Sequence, residues 1–256
     1  QLSTHPRTNE GGFWHKKVYP YQMWLDGLYM GQPFYAEYAK LFNEPKAFDD
    51  ISKQFILIEK NTRDEKTGLL YHGWDESKEQ KWADKNTGRS PNFWSRALGW
   101  YGMSLVDVLD YFPKNHTGRD SIIAILNRYA EAVTKVQQNN GLWYQVTNMP
   151  EKKGNYPEAS ASSMIVYTLA KGVRLGYLPS KFLKNAEDGY KGILQEFIEE
   201  DNQGHVNLNG TVKVSGLGGK PYRDGSFEYY MSEPVIQNDP KGIGAFIQCA
   251  VEMEML

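Results

Sequence analysis

Residues 96–109, RALGWYGMSLVDVL, are small or apolar almost all the way round a helical wheel. A helix apolar on every side has no water-facing stripe and belongs in an interior. EASASSMIVYTLAKG (158–172) and KGIGAFIQCAVEM (241–253) read the same way. Between them lie stretches with the charged face of a surface helix: PKAFDDISKQFILIEKN (45–61), GRDSIIAILNRYAEAVTKVQQ (118–138) and PSKFLKNAEDGYKGILQEFIEE (179–200). Inner and outer helices therefore alternate along the chain.

Working outward, the segments before the inner helices also resemble one another. GGFWHK from Gly11, GLLYHGW from Gly68, GLWYQV from Gly141 and GHVNLN from Gly204 each read as a glycine and a short strand. A variable loop follows, then Pro20, Pro91, Pro157 or Pro240, each expected to open a helix, since proline suits the first helical position. Ser90 and Asp239 precede two of them as candidate N-caps. The unit of inner helix, outer helix, short strand and loop predicts an all-α, α/α toroid with short β-strands in its loops. A stacked-helix solenoid is the alternative, but its repeats are usually shorter. Four repeats are few for a closed ring, where six hairpins are usual. The helices at the two ends, around Tyr19–Phe34 and Gly242–Met255, are therefore expected to expose apolar surface. Residues 1–256 read as a single domain, N-terminally incomplete.

A net charge of -2 and pI near 6.3 argue against nucleic-acid binding. No 18-residue apolar run is present, and the mean hydropathy of -0.62 argues against membrane insertion. The single cysteine, Cys249, forms no internal disulfide. The opening QLSTHPRTNEGGFWH carries no charged-then-apolar signal segment, which leaves bacterial cytoplasm and periplasm both compatible. There is no GxSxG elbow, P-loop or HExxH. Gly216-Leu217-Gly218-Gly219 lacks the strand–helix context of a dinucleotide site, and one cysteine with scattered histidines does not make a zinc site. No metal and no cofactor are expected. Seven Trp, 17 Tyr and 11 Phe suit stacking on sugar rings as well as core filling.

The chemistry-bearing residues emerge when two inner helices are aligned. Trp24-Leu25-Asp26-Gly27-Leu28 matches Trp94-Ser95-Arg96-Ala97-Leu98, placing a carboxylate and a guanidinium in equivalent slots. In a toroid both point into the central cleft at the loop end, where His15, Lys16 and His72 arrive on loops and Trp24, Trp94 and Trp100 can wall the space. Two readings stand side by side. Asp26 and Arg96 form a buried pair joining two helices, or Asp26 is an acid/base in a pocket with fixed cations. For His72 and for His15 beside Lys16, backbone-satisfied or solvated roles are the corresponding alternatives.

With these segments assembled, the chain resembles glycoside hydrolase family 105, the unsaturated rhamnogalacturonyl hydrolases. The resemblance rests on GGFWHK…YPYQMWLDGLYMG, GLLYHGWDE, FWSRALGWYGMSLVD, GLWYQ and EASASSM occurring in this order. It implies a six-hairpin α/α barrel that acts on oligosaccharides ending in a 4,5-unsaturated uronic acid, here with about four hairpins. It also implies that Asp26 is the acid/base and that His15, Lys16, Trp24, His72, Arg96 and Trp100 bind substrate. Burial among Trp24, Tyr29 and Met30 is then expected to raise the Asp26 pKa, with Arg96 receiving the substrate carboxylate. The family carries a second carboxylate upstream of GGFWHK, for which no residue here stands. Gly216–Glu233 resembles a loop at the pocket rim. The expected partner is an acidic oligosaccharide, with the protein a monomer or weak homo-oligomer. A polysaccharide lyase or epimerase of the same fold, or a non-catalytic sugar-binding relic, are the competing readings.

Overall fold

The computed structural model describes residues 2–256. Helices α1 (Leu25–Leu41), α2 (Ala47–Thr62), α3 (Ser95–Val108), α4 (Thr117–Thr134), α5 (Ala159–Arg174) and α6 (Leu183–Glu196) form three hairpins. A short α7 (Phe227–Ser232) and a long α8 (Pro240–Glu254) follow. α1, α3, α5 and α8 pack side by side in that order as the inner layer, with α2, α4 and α6 outside. This is the α/α toroid arrangement.

Composition explains how closely the inner helices approach. A Cβ added to Gly99 would lie 2.7 Å from the Met164 Cβ, and one on Gly102 would lie 2.5 Å from the Tyr129 hydroxyl. The glycines of RALGWYG therefore let α5 and α4 close against α3. Leu98, Tyr101 and Leu105 of α3, Met164 and Leu169 of α5 and Leu126 of α4 lie in the resulting core. Burying one such large side chain stabilises the fold by roughly 1.5–3 kcal/mol. At the two ends of the inner layer apolar side chains face outward: Met30 (60% exposed) and Phe34 (67%) on α1, Ile247 and Val251 on α8.

Only one of the four prolines opens its helix. Pro240 is the first residue of α8, capped by the Asp239 carboxylate accepting from the Lys241 amide. The other three helices begin later, at Leu25, Ser95 and Ala159, because the intervening residues are held extended, by the next repeat before α1 and α3 and by their own repeat's strand before α5. β1 (Gln22–Trp24) runs antiparallel to β2 (Gly73–Asp75), with Trp24 opposite Gly73. Trp94 bridges to Val146, and Tyr144 to Pro157. The first helical amide then donates to a carbonyl of the following repeat: Leu25 to His72, Ser95 to Gln145, Ala159 to Gly210. Three of the four inner helices, α1, α3 and α5, are thus stitched at the N-terminus to a following segment, which fixes the loop end. Two further ribbons, β3 (Ile198–Glu200) with β4 (Val206–Leu208) and β5 (Thr211–Val212) with β6 (Val235–Ile236), complete the loops.

Candidate active site

Because α1 starts at Leu25, Asp26 lies in its first turn. A carboxylate there is favoured by the exposed amides and positive end of the helix dipole. Its side chain is 14% exposed, and Oδ2 lies 3.2 Å from Nε2 of His72, which is fully buried. The two atoms face each other within reach of a hydrogen bond, and neither has any other partner in the protein. On its other side His72 Nδ1 shares a 2.8 Å hydrogen bond with the Tyr230 hydroxyl. His15 stacks on Trp24 with ring centres 4.2 Å apart, and its Nδ1 is a buried polar atom without a partner. Three polar atoms with no partner beyond one another, in adjoining catalytic-type side chains, call for a ligand, since buried polar groups are otherwise nearly always satisfied.

The electrostatics differ from the sequence expectation. Burial pushes the Asp26 carboxyl up, but the charge and hydrogen bond of His72, the charge of His15 and its own backbone amide together outweigh burial and hold it below the ordinary carboxylate value. The expected apolar surround is also incomplete, since Met30 faces outward and Tyr29 stacks on Trp100 at 4.5 Å. For His15 burial dominates and pushes the imidazole down to about 4, opposed by Asp26 and assisted by Lys16, His72 and Arg223. Its neutral form is the one the folded protein keeps.

Arg96 corrects a second expectation. It pairs with neither Asp26 nor open solvent, being 1% exposed. Its Nε donates to the Ser160 hydroxyl at 2.7 Å, and Nη2 donates to Glu158 Oε1 at 3.1 Å and to the Val212 carbonyl. Glu158 in turn caps α5 by accepting from the Ala161 amide and accepts from the Val212 amide at 2.9 Å. Arg96 is therefore an internal counter-charge that ties α3, α5 and β5 together through its Nε and Nη2.

Among the remaining expected site residues, His15, Trp24, His72 and Asp26 come together as one group. Trp24 is buried beneath His15 and Tyr19 (4.9 Å), so its ring is a floor for the site rather than an open platform. Lys16 is exposed beside His15. Trp100 sits one turn along α3 from Arg96, against Tyr29 and away from the His15–Trp24 stack. Larger surface concavities occur elsewhere, for example between Lys40, Asp110, Arg119 and Tyr177, but none gathers unpartnered catalytic groups in this way. No cluster of His, Cys, Asp or Glu suited to a metal ion occurs among the described residues, and no helix there is long and apolar enough to cross a membrane.

Residues that sequence reasoning did not place arrive from the C-terminal quarter. Leu217 packs with Trp24 and Trp82, the Asn92 side chain donates to the Gly225 carbonyl at 2.8 Å, and Tyr230 reaches His72. Segment 216–233 thus covers the site. Its rim-loop resemblance was the available signal, but the particular contact residues lie far from His72 in sequence and belong to no repeat position. Glu158 was legible in one respect, since it occupies the slot of Trp24 and Trp94 immediately before an inner helix.

The comparisons with known proteins bear on the family and the fold. The model of Glycosyl Hydrolase Family 88 matches residues 1–256. A family 105 glycoside hydrolase structure from C. acetobutylicum ATCC 824 superposes with a TM-score of 0.98 at 56% identity, covering 100% of this chain and 71% of that one. Protein Atu3128 of Agrobacterium fabrum is 38% identical over 237 residues, 89% of this chain and 99% of the relative. The unsaturated rhamnogalacturonyl hydrolase YesR of Bacillus subtilis is 26% identical over 229 residues, of which this chain spans 62%. The chain belongs to glycosyl hydrolase family 88, with its structural likeness in family 105; it is a glycoside hydrolase with a carbohydrate substrate.

Proposed function

We propose that this hydrolase removes a terminal 4,5-unsaturated uronic acid from pectin-derived oligosaccharides of the rhamnogalacturonan type, with Asp26 as acid/base. The observation that carries the reading is the Asp26 carboxylate, which faces His72 at 3.2 Å with His15 beside it. Ordinary glycoside hydrolysis needs two carboxylates flanking the bond. Two other buried carboxylates are engaged elsewhere: Asp75 accepts from the Ser77 and Gln80 amides, and Glu158 is held by Arg96. An enol ether needs only one acid/base, because its double bond is itself the site of protonation.

In the proposed reaction the protonated Asp26 carboxyl gives its proton to C4, leaving an oxocarbenium ion at C5. Water adds at C5 as the Asp26 carboxylate removes its proton, so one water enters and Asp26 ends as it began. The resulting hemiketal opens to a 5-keto acid, and the freed hemiacetal at C1 collapses to an aldehyde with release of the next sugar. Asp26 must first be protonated, although the histidines favour its anion. An anionic sugar entering the site adds negative charge and excludes water, both of which favour the neutral carboxyl. His72, at 3.2 Å, is placed to exchange that proton. His15, Lys16 and Trp24 are assigned to substrate binding around it, and Trp100 to the wall deeper along α3.

Ultraviolet absorbance of the conjugated uronate tests the reading. Incubation with lyase-cut rhamnogalacturonan should erase the chromophore in wild type and leave it in Asp26→Asn. A lyase of the same fold remains the rival because His72 and Tyr230 form a hydrogen-bonded base pair of the kind a lyase employs; rising absorbance on uncut polymer would decide for it.

A further inference from the structure

With Arg96 enclosed, the sugar acid's own carboxylate lacks its expected partner, and the arginine census identifies another. Arg7, Arg63, Arg96, Arg128 and Arg174 are each paired with an Asp or Glu. Of the other three, Arg89 is held by the Asn61 carbonyl, and Arg119 by the Leu109 carbonyl beside Tyr177; both lie away from Asp26. Arg223 stands at the site. It is half-buried and forms no ion pair among the described residues. Its Nε donates to the Gly218 carbonyl at 2.9 Å and its Nη2 to the Tyr19 hydroxyl at 3.0 Å.

The surroundings are shaped to hold that guanidinium in place. A Cβ on Gly216 would lie 2.5 Å from Nη1, and one on Gly219 3.0 Å from Nη2, so the glycines of GLGG make the room. Tyr19, which accepts from Arg223, lies over Trp24, the ring on which His15 stacks. The Arg223 charge is felt at both His15 and Tyr230, the groups flanking the Asp26–His72 pair. A planar, pre-positioned cation without a counter-charge beside a site for an acidic sugar matches a carboxylate.

We propose that Arg223, steadied by Tyr19 and the Gly216–Gly219 loop, binds the carboxylate of the unsaturated uronate and so selects acidic over neutral sugars at this site. The inference rests on the uronate reading above. Kinetics on an unsaturated uronyl disaccharide and on its methyl ester, for wild type, Arg223→Met and Arg223→Lys, test it. Loss of a charged hydrogen-bond partner predicts that Arg223→Met lowers kcat/KM for the acid by about 10- to 100-fold, chiefly through KM. The ester should change less than about threefold, as expected where no charged partner is lost. Arg223→Lys should fall between, since a point charge replaces a planar fork. Equal losses on acid and ester would assign Arg223 to holding the loop and overturn the proposal, as would unchanged kinetics on the acid. Melting temperatures identify any variant that fails to fold, and Tyr19→Phe, which frees the guanidinium without removing it, should raise KM for the acid alone. If wild type turns over neither compound, the hydrolase reading fails while Arg223 is still tested by tryptophan-fluorescence titration with galacturonate. Binding by wild type but not by Arg223→Met then supports the carboxylate role; equal binding, or none by wild type, overturns it.

Discussion

Asp26 with His72, and Arg96 with Glu158, occupy the same step of successive repeats. In each, a charged residue sits second in an inner helix whose first amide donates to the neighbouring repeat. The Arg96–Glu158 pair is enclosed: Arg96 Nε and Nη2, the Glu158 carboxylate, the Ser160 hydroxyl, Val212 and the Ala161 amide hydrogen-bond one another. The Asp26–His72 pair is more open, with a partly exposed carboxylate whose buried Oδ2 and the His72 Nε2 have no partner beyond each other. The difference teaches that one repeat position can be given to architecture in one unit and to chemistry in the next. A buried ion pair is tolerated where every remaining polar atom is matched, whereas a pair with unused hydrogen-bonding capacity is poised for a ligand.

The comparison breaks most visibly at Asp26. Asp26→Asn keeps the volume but removes the transferable proton, and turnover should fall by about 10²–10⁴-fold, with little change in melting temperature. Retention of more than a tenth of wild-type turnover, a bound chosen well inside that range, would place the acid elsewhere. At the closed junction the effect should be on folding. Arg96→Met leaves Glu158 buried without its cation, which should cost about 3–5 kcal/mol in urea denaturation. If Arg96→Met instead keeps its stability and loses only activity, the architectural assignment of this pair is wrong.

Smaller changes sharpen the contrast. Tyr230→Phe removes the hydrogen bond that orients His72 but leaves the ring, so kcat should drop by up to about tenfold, the value of one ordinary hydrogen bond. The accompanying signature is a displaced pH–rate profile, because the proton on His72 governs that on Asp26; a uniform drop at every pH would make Tyr230 mere packing.

The smallest expected effect concerns pH and stability. The neutral imidazole of His15 is favoured in the fold, with a pKa of about 4 against roughly 6.5 unfolded. Above about pH 6.5 neither state is protonated there and its contribution to stability is complete. As pH falls toward about 4 the unfolded chain takes up a proton that the folded one refuses, so stability declines, by on the order of 1 kcal/mol at this partly exposed position. Asp26, with its pKa also lowered, acts in a lower window and in the same direction. Its contribution is present above the unfolded carboxylate value and is lost as pH falls through the lower folded one. His15→Leu should flatten the curve in the higher window only. An unchanged slope there would mean that His15 titrates normally.

How much was legible follows from what repeats. The alternation of all-round apolar and one-sided helices fixes which layer each helix joins, because burial of an apolar face is a local property of the side chains on it. The same alignment found Asp26 and Arg96 as equivalent positions, and the quoted motifs brought His15, Trp24 and His72 into view. Helix starts were misjudged because proline's preference for the first turn is weak beside the strand pairing that holds Gln22–Trp24 extended against Gly73–Asp75.

The sequence by itself determined the layers, the order of the repeats and the chemical types available at the loop end. Only the tertiary structure decided which charge answers which. Arg96 could have served Asp26, substrate or another carboxylate; Glu158 holds it because α5 and β5 bring a carboxylate, a hydroxyl and a carbonyl to its guanidinium together. Tyr230 and Arg223 reach the site through a loop that lies far along the chain from His72 and Tyr19. Patterning acts between neighbours in sequence, whereas charge pairing and hydrogen bonding act over a few ångströms in space, so partner choice waits for the fold.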